Sequence, residues 1–416
     1  MVSHHHRRDR ALAGIAVGAV LVAACGGGGR AQRTARDGSA PVSSSTVAPR
    51  QPVGAVAVAQ IPSSPKEHGP SGLSWALGGQ RDGIPEPSVP LTEIHRGGPP
   101  PDGIPPVDAP RFLPSSAVSF LADHEPVLAV DIDGEARAYP VQILVWHEIV
   151  NDTVAGVPVA ITYCPLCNSA VAYDRRVGAR VLDFGTSGML WNSSLVMYDR
   201  QTETLWSHYT GQGVAGVLTG TTLQAFPVAT VPWRVWRDGH PNGMVLSRET
   251  GYDREYGRNP YPGYDNVDGK PFLYEGKVDG RFTAMTRVVG INNGGDAVAV
   301  PLSSLRQHQV MPVALGGRQL VLWWAPGTVS ALDATRVSDG ADIGATGVFV
   351  PTIDGRILSF TASVAGFVDR ETSSTWDLLG RATAGPLTGR QLQAVEHVDT
   401  FWFAWSAFRP ATALAG

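Results

Sequence analysis

Apolar and polar positions divide the chain into stretches of different character. Residues 11–24, ALAGIAVGAVLVAA, form an unbroken apolar run behind Arg7, Arg8 and Arg10, and Cys25 follows at once. Residues 26–90 show no periodicity; Gly, Ser, Thr, Ala, Pro and Gln dominate and large apolar side chains are few. Such a stretch cannot bury enough surface to offset chain entropy, so 25–90 reads as a disordered, flexible tether. From about residue 91, short runs rich in β-branched and aromatic residues begin, at 127–132, 136–139, 157–163, 170–173 and 195–198. Turn residues separate them: Asp133-Gly134, Ala155-Gly156, Val177-Gly178 and Thr186-Ser187-Gly188. This spacing predicts a mainly β fold, barrel- or sandwich-like. Helical patterns are few and short. The strongest covers about 140–150, where Pro140 suits a helix start and Ile143, Val145, Trp146, Ile149 and Val150 repeat on one face.

The pattern also repeats at long range. Tyr198-Asp199-Arg200, followed by Thr204-Leu205-Trp206, recurs as Val368-Asp369-Arg370, followed by Ser374-Thr375-Trp376. Gly216-Val217-Leu218-Thr219-Gly220 recurs as Gly385-Pro386-Leu387-Thr388-Gly389. A period this long predicts two tandem related β-rich domains rather than a solenoid. The first covers 91–250, a connector covers 251–281, and a degenerate second copy without cysteines covers 282–416. In this register His147 falls on His308, but Glu148 falls on Gln309, Cys164 on Ala325, Cys167 on Thr328 and His208 on Leu378. Features kept in both copies suggest architecture; features in one copy suggest chemistry.

Composition narrows the class. Charged residues are 17% of the chain, below the usual roughly 25%, while Gly (48) and Pro (32) are abundant. That excludes a coiled coil, a helical bundle and a charged disordered protein. A net charge of −4 gives no reason to expect a nucleic acid partner. Phe184-Gly185-Thr186-Ser187-Gly188 lacks the Gly-Lys-Ser/Thr of a phosphate loop, so no nucleotide cofactor is expected.

The N-terminus reads as an address. A basic region, a short apolar region and small residues describe a signal peptide over 1–24. Its apolar run is shorter than the about 20 residues that a membrane-spanning helix needs. Val22-Ala23-Ala24-Cys25 resembles a bacterial lipobox, which implies cleavage before Cys25 and lipid attachment to its sulfur. The expected product is an exported bacterial lipoprotein at the outer face of the cell membrane. Its partners would be that membrane, through the N-terminal lipid anchor, and an envelope protein.

The chemistry concentrates at Thr162-Tyr163-Cys164-Pro165-Leu166-Cys167-Asn168-Ser169, which reads as strand, Cys-x-x-Cys, strand. Asn168 tolerates the positive φ that closes a tight turn around two sulfurs. Two thiolates fill half of a tetrahedral site, and copper or zinc suits their softness. His147 is the first choice for a further ligand and His208 the second. Glu148 and Asp152 would orient the histidine or act as a base. Met189 and Met197 read as core filler.

Four motifs carry a resemblance: Asp133 to Pro140, Trp146-His147-Glu148-Ile149-Val150-Asn151-Asp152, Thr162 to Cys167, and Leu195-Val196-Met197-Tyr198-Asp199-Arg200. In this order they resemble the bacterial domain-of-unknown-function family 3179, over about 91–290. The resemblance implies an exported bacterial domain and no established activity. Three readings stay open. The first is a copper- or zinc-binding lipoprotein using Cys164, Cys167 and His147. The second is a thiol–disulfide oxidoreductase with Cys164 as nucleophile and Cys167 as resolving thiol, so enzymatic activity is left undecided. The third is a non-catalytic envelope-binding module stapled by a 164–167 disulfide.

Overall fold

A computed structural model describes Leu73 and residues 84–416; the leader, Cys25 and nearly all of the tether lie outside the described residues. Strands β1 (Pro126–Ile132) and β2 (Glu135–Pro140) form a hairpin. Its turn places Asp133 and Gly134 at φ 51° and 84°, the left-handed pair that suits a right-twisted hairpin. Pro140 ends β2 and opens helix α1 (Val141–His147). This helix is shorter than the sequence pattern predicts. Glu148 turns to φ 59°, and Ile149 and Val150 enter strand β3 (Ile149–Val154), opposite Thr162 and Ile161 of β4 (Val157–Cys164). Two consecutive β-branched residues gain more on a pleated, fully buried strand than in a final helical turn.

The other edge of β4 pairs with β5 (Ser169–Asp174). Then β6 (Phe184–Trp191), β7 (Ser194–Asp199), β8 (Leu205–Ser207) and β9 (Gly213–Ala215) run as an antiparallel meander. Thr186-Ser187-Gly188 is a bulge inside β6 rather than the expected turn, because Gly188 absorbs the register shift at φ 71°. Short β10 (Ala225–Phe226) returns to β5, and β11 (Ala229–Pro232) returns to β1. After helix α2 (Trp233–Gly239), β12 (Met244–Leu246) lies parallel to β2.

The same order of elements recurs downstream. A hairpin of β13 (Arg287–Asn292) and β14 (Ala297–Pro301) leads into α3 (Leu302–His308), then β15 (Val310–Leu315), β16 (Arg318–Ala325) and β17 (Ala345–Val350). A second meander follows: β18 (Phe360–Ser363), β19 (Gly366–Asp369), β20 (Thr375–Trp376) and β21 (Ala382–Ala384). Finally β22 (Gln393–Ala394) pairs with β17 and β23 (Val398–Phe401) with β13; α4 (Trp402–Phe408) precedes β24 (Ala413–Leu414), which is parallel to β14. Thus the sheet order β10-β5-β4-β3 corresponds to β22-β17-β16-β15, and β11-β1-β2-β12 to β23-β13-β14-β24.

Repeated sequence makes repeated contacts. Buried Asp199 accepts the Thr202 N–H (2.6 Å) and the Trp206 indole N–H (2.9 Å), and Asp369 accepts the Thr372 N–H and Trp376 indole N–H at the same two distances. Gly216 and Gly385 have φ 123° and 90°, and a Cβ on either would sit 2.6 or 2.7 Å from a backbone Cα of the preceding strand connection.

One apolar cluster spans both halves. Phe401, Trp402, Phe403, Trp405 and Phe408 belong to the same apolar cluster as Ile161, Cys164, Cys167 and Trp206. Segment 251–281 has no helix or strand, yet Tyr256, Tyr261, Tyr264 and Tyr274 pack against that cluster. All described residues fall within one compact unit. Met189 and Met197 are core side chains, 5% and 0% exposed.

Candidate functional site

Strand alternation builds the site. Thr162 and Cys164 share one face of β4, and β5 brings Ser169 directly opposite Cys164. The link between them closes at Asn168 (φ 50°), whose N–H bonds the Pro165 carbonyl at 3.2 Å, as its turn tolerance predicts. Both cysteines are free thiols and buried, Cys164 1% and Cys167 0% exposed.

Two further segments complete the surroundings. From β7, the Leu195 N–H points at Cys164 Sγ (3.4 Å) and Ser194 Oγ lies 3.4 Å from Cys167 Sγ. The turn after β8 supplies His208, whose N–H bonds the Leu195 carbonyl at 3.2 Å. His208 is fully buried; its Nδ1 meets Thr162 Oγ1 at 2.9 Å and its Nε2 meets Ser169 Oγ at 2.8 Å. Ser169 Oγ in turn lies 2.9 Å from Cys167 Sγ.

The distal parts of the chain close the loop from the other side. The Phe401 N–H and the Thr400 hydroxyl both donate to the Cys167 carbonyl, at 3.2 and 2.7 Å. Tyr264 OH donates to the Leu166 carbonyl at 3.0 Å. A Cys-x-x-Cys loop coded in the first half is thus hydrogen-bonded by the connector and the second half.

The two sulfurs ionise unequally. Burial, a hydrogen bond with Cys167 and the charge of Cys167 push Cys164 well above the ordinary thiol range. Burial also raises Cys167, but hydrogen bonding with Cys164, Ser169 and Ser194 outweighs it and leaves Cys167 below that range. Burial lowers His208 against the opposing charge of Cys164 and its Ser169 bond. Glu148 is raised well above the carboxylate range, by burial first and the Cys164 charge second.

His147 does not join the sulfurs. Its Nδ1 is 2.6 Å from the Pro105 carbonyl and its Nε2 is 2.5 Å from Tyr256 OH, so both nitrogens are engaged. Burial holds it neutral, below the usual histidine range. Asp152 orients no histidine either. It accepts two 2.6 Å bonds from Arg137 and one of 2.6 Å from Tyr139. The expected set of Cys164, Cys167 and His147 is therefore not assembled, and His208 replaces His147 as the histidine of the site. Among the described residues no group of three or more His, Cys, Asp or Glu side chains is arranged to hold a metal ion. The partner position of His147 also diverges: His308 is exposed and bonds only the Ser304 carbonyl of its own helix, at 2.9 Å.

Sequence reading missed Thr162, Ser169, Ser194 and Thr400. Alternation along a strand ending at Cys164 could have found Thr162, and pairing across the loop could have found Ser169. Ser194 and Thr400 are brought in by tertiary packing and have no local signature.

A turn-rich β protein of two structurally similar halves, the first carrying a buried Cys-x-x-Cys with no disulfide between its sulfurs, is the class these features define. Residues 101–412 match the family model described as "Protein of unknown function (DUF3179)", and the chain belongs to that family. The match runs through both halves, beyond the 91–290 that the motifs suggest. No curated protein and no solved structure matches the chain.

Proposed function

We propose that this protein is an exported, lipid-anchored thiol–disulfide oxidoreductase whose centre is the Cys164/Cys167 pair, and that its two halves are diverged copies. The observation that carries the reading is a pair of buried free thiols with unequal surroundings: Cys167 Sγ lies against the Ser169 and Ser194 hydroxyls, whereas Cys164 Sγ faces the Leu195 N–H. Unequal thiols are what exchange requires, since one sulfur must attack and the other resolve. The roles are the reverse of the expected ones. The Cys167 thiolate attacks one sulfur of a disulfide on an envelope protein, forming a mixed disulfide and releasing the first substrate thiol. Cys164 then attacks Cys167 Sγ, releasing the second thiol and leaving a 164–167 disulfide. Two electrons pass to the substrate. Both sulfurs are covered, so the Tyr264 and Thr400 side of the loop opens for each encounter. Exchange is favoured over metal binding because both His147 nitrogens are engaged elsewhere.

Equilibration of purified protein with glutathione buffers, read by mass after thiol labelling, tests this. A reversible disulfide with a potential above roughly −250 mV is expected. A pair that never oxidises, or a disulfide below roughly −300 mV, overturns exchange. Near-stoichiometric zinc or copper that is lost in Cys164→Ser overturns it too.

A further inference from the structure

The hydrogen-bond directions around His208 can be worked out from one end. A carbonyl oxygen only accepts, so the 3.0 Å contact between Thr162 Oγ1 and the Val171 carbonyl fixes the hydroxyl proton of Thr162 there. Thr162 then offers only lone pairs to His208 Nδ1 at 2.9 Å, and that nitrogen carries the proton. Neutral His208 presents a bare Nε2 to Ser169, 2.8 Å away, and Ser169 donates to it. Ser169 therefore turns a lone pair toward Cys167, 2.9 Å away, and is placed to accept its S–H.

This row has a second state of equal net charge. The Cys167 proton passes to Ser169 Oγ as the Ser169 proton passes to His208 Nε2. The result is a thiolate accepting from Ser169 and an imidazolium donating to it. Every donor still meets an acceptor. A lone buried charge is strongly disfavoured, whereas this shift creates a hydrogen-bonded pair of opposite charges. Ser194 Oγ adds a second hydroxyl contact to the Cys167 sulfur, while Cys164 has no hydroxyl beside it in its hydrogen bonds with the Leu195 N–H and Cys167.

We propose that Ser169 and His208 form a proton relay that ionises Cys167 and so makes it the attacking sulfur. This inference rests on the exchange reading of the same site. The second half supports it as a built-in comparison. Thr162, Cys167, Ser169 and His208 correspond to Trp323, Thr328, Ala345 and Leu378, so the whole row is replaced together. A histidine kept only to fill space would not require the serine and threonine to leave with it.

Ser169 and His208 act through another atom and are positioning residues. Tyr163, Tyr209 and Tyr264 lie within electrostatic reach of both sulfurs, and Glu148, from the end of α1, and Tyr261 within reach of Cys164. Burial moves the tyrosines above their ordinary range, out of the titration window of a thiol. Glu148 is raised toward that window, so the test is made with and without Glu148→Gln.

The test is an ultraviolet thiolate titration of Cys167 in a Cys164→Ala background, which needs no reagent to reach the buried sulfur. His208→Gln and Ser169→Ala are expected to raise the midpoint by about one unit, or about tenfold less thiolate at neutral pH. Ser169→Thr, which keeps the hydroxyl, restores it. Thr162→Val, which removes the acceptor for Nδ1–H and no titrating group, raises it as well and serves if His208→Gln does not fold. Unchanged midpoints in variants with parental near-ultraviolet circular dichroism overturn the relay. The two readings fail separately. A shifted midpoint without a reversible disulfide in the Cys164-containing protein removes exchange and keeps the relay. A reversible disulfide with no shift does the opposite.

Discussion

Two buried histidines in the first half have both ring nitrogens engaged, and their partners decide their roles. His147 spans a backbone carbonyl and a tyrosine hydroxyl, which fixes the start of the connector against α1. His208 spans two hydroxyls on neighbouring strands, one of them against a sulfur. His147 looks like the better ligand in sequence because it lies one strand before the cysteines. Sequence distance is a poor guide here, because α1 ends in a reversal that turns the next residue, Glu148, toward Cys164 instead. Glu148 yields a prediction at this scale. Its folded-state pKa is raised, so its contribution to stability is present below the unfolded carboxylate value and is lost as pH rises through the folded value. Glu148→Gln should therefore raise the melting temperature at about pH 7, with the gain shrinking toward about pH 4. Gln309 takes the same helix-ending position at φ 61°, so the substitution fits the backbone. Calorimetry across that range checks it; a gain independent of pH would point to packing instead of ionisation.

At the level of elements, what was legible were the strands rich in β-branched and aromatic residues and the turns with Asp-Gly or Asn. The β1–β2 hairpin and the β4–loop–β5 unit follow from such local rules. The end of α1 and the bulge in β6 were not legible, since both depend on neighbouring strands that recruit β-branched or glycine-containing segments into a ladder. Asp199 and Asp369 were visible as a repeat, and their equal bonds to indole N–H explain it. Each holds a strand connection by satisfying a buried tryptophan donor. Asp199→Ala and Asp369→Ala should each cost about 2–4 kcal/mol, because each strands a buried indole N–H and several turn donors. Urea unfolding of the two variants measures this; a loss under about 0.5 kcal/mol in either would remove the anchoring role.

For the whole molecule, the two halves follow one plan and are joined by apolar clusters that draw on both. The aromatic cluster of β23 and α4 packs on the cysteine loop, and the connector's tyrosines fill the seam. Repetition was legible from paired motifs; the clusters spanning both halves were not, because the contacts involved join residues without local periodicity. No helix among the described residues is long and apolar enough to cross a membrane, and the proposed lipid anchor has its own test. Cys25→Ser should move the protein from the membrane fraction to the soluble fraction. Equal partitioning of the two forms would leave the lipobox without a role.

The bond from Thr400 to the Cys167 carbonyl joins positions 233 residues apart. A ribosome makes the cysteines long before it makes the residues that cover them. During that interval the thiols face their surroundings unshielded, and the oxidation state of the finished protein can be set by the order in which its chain appears.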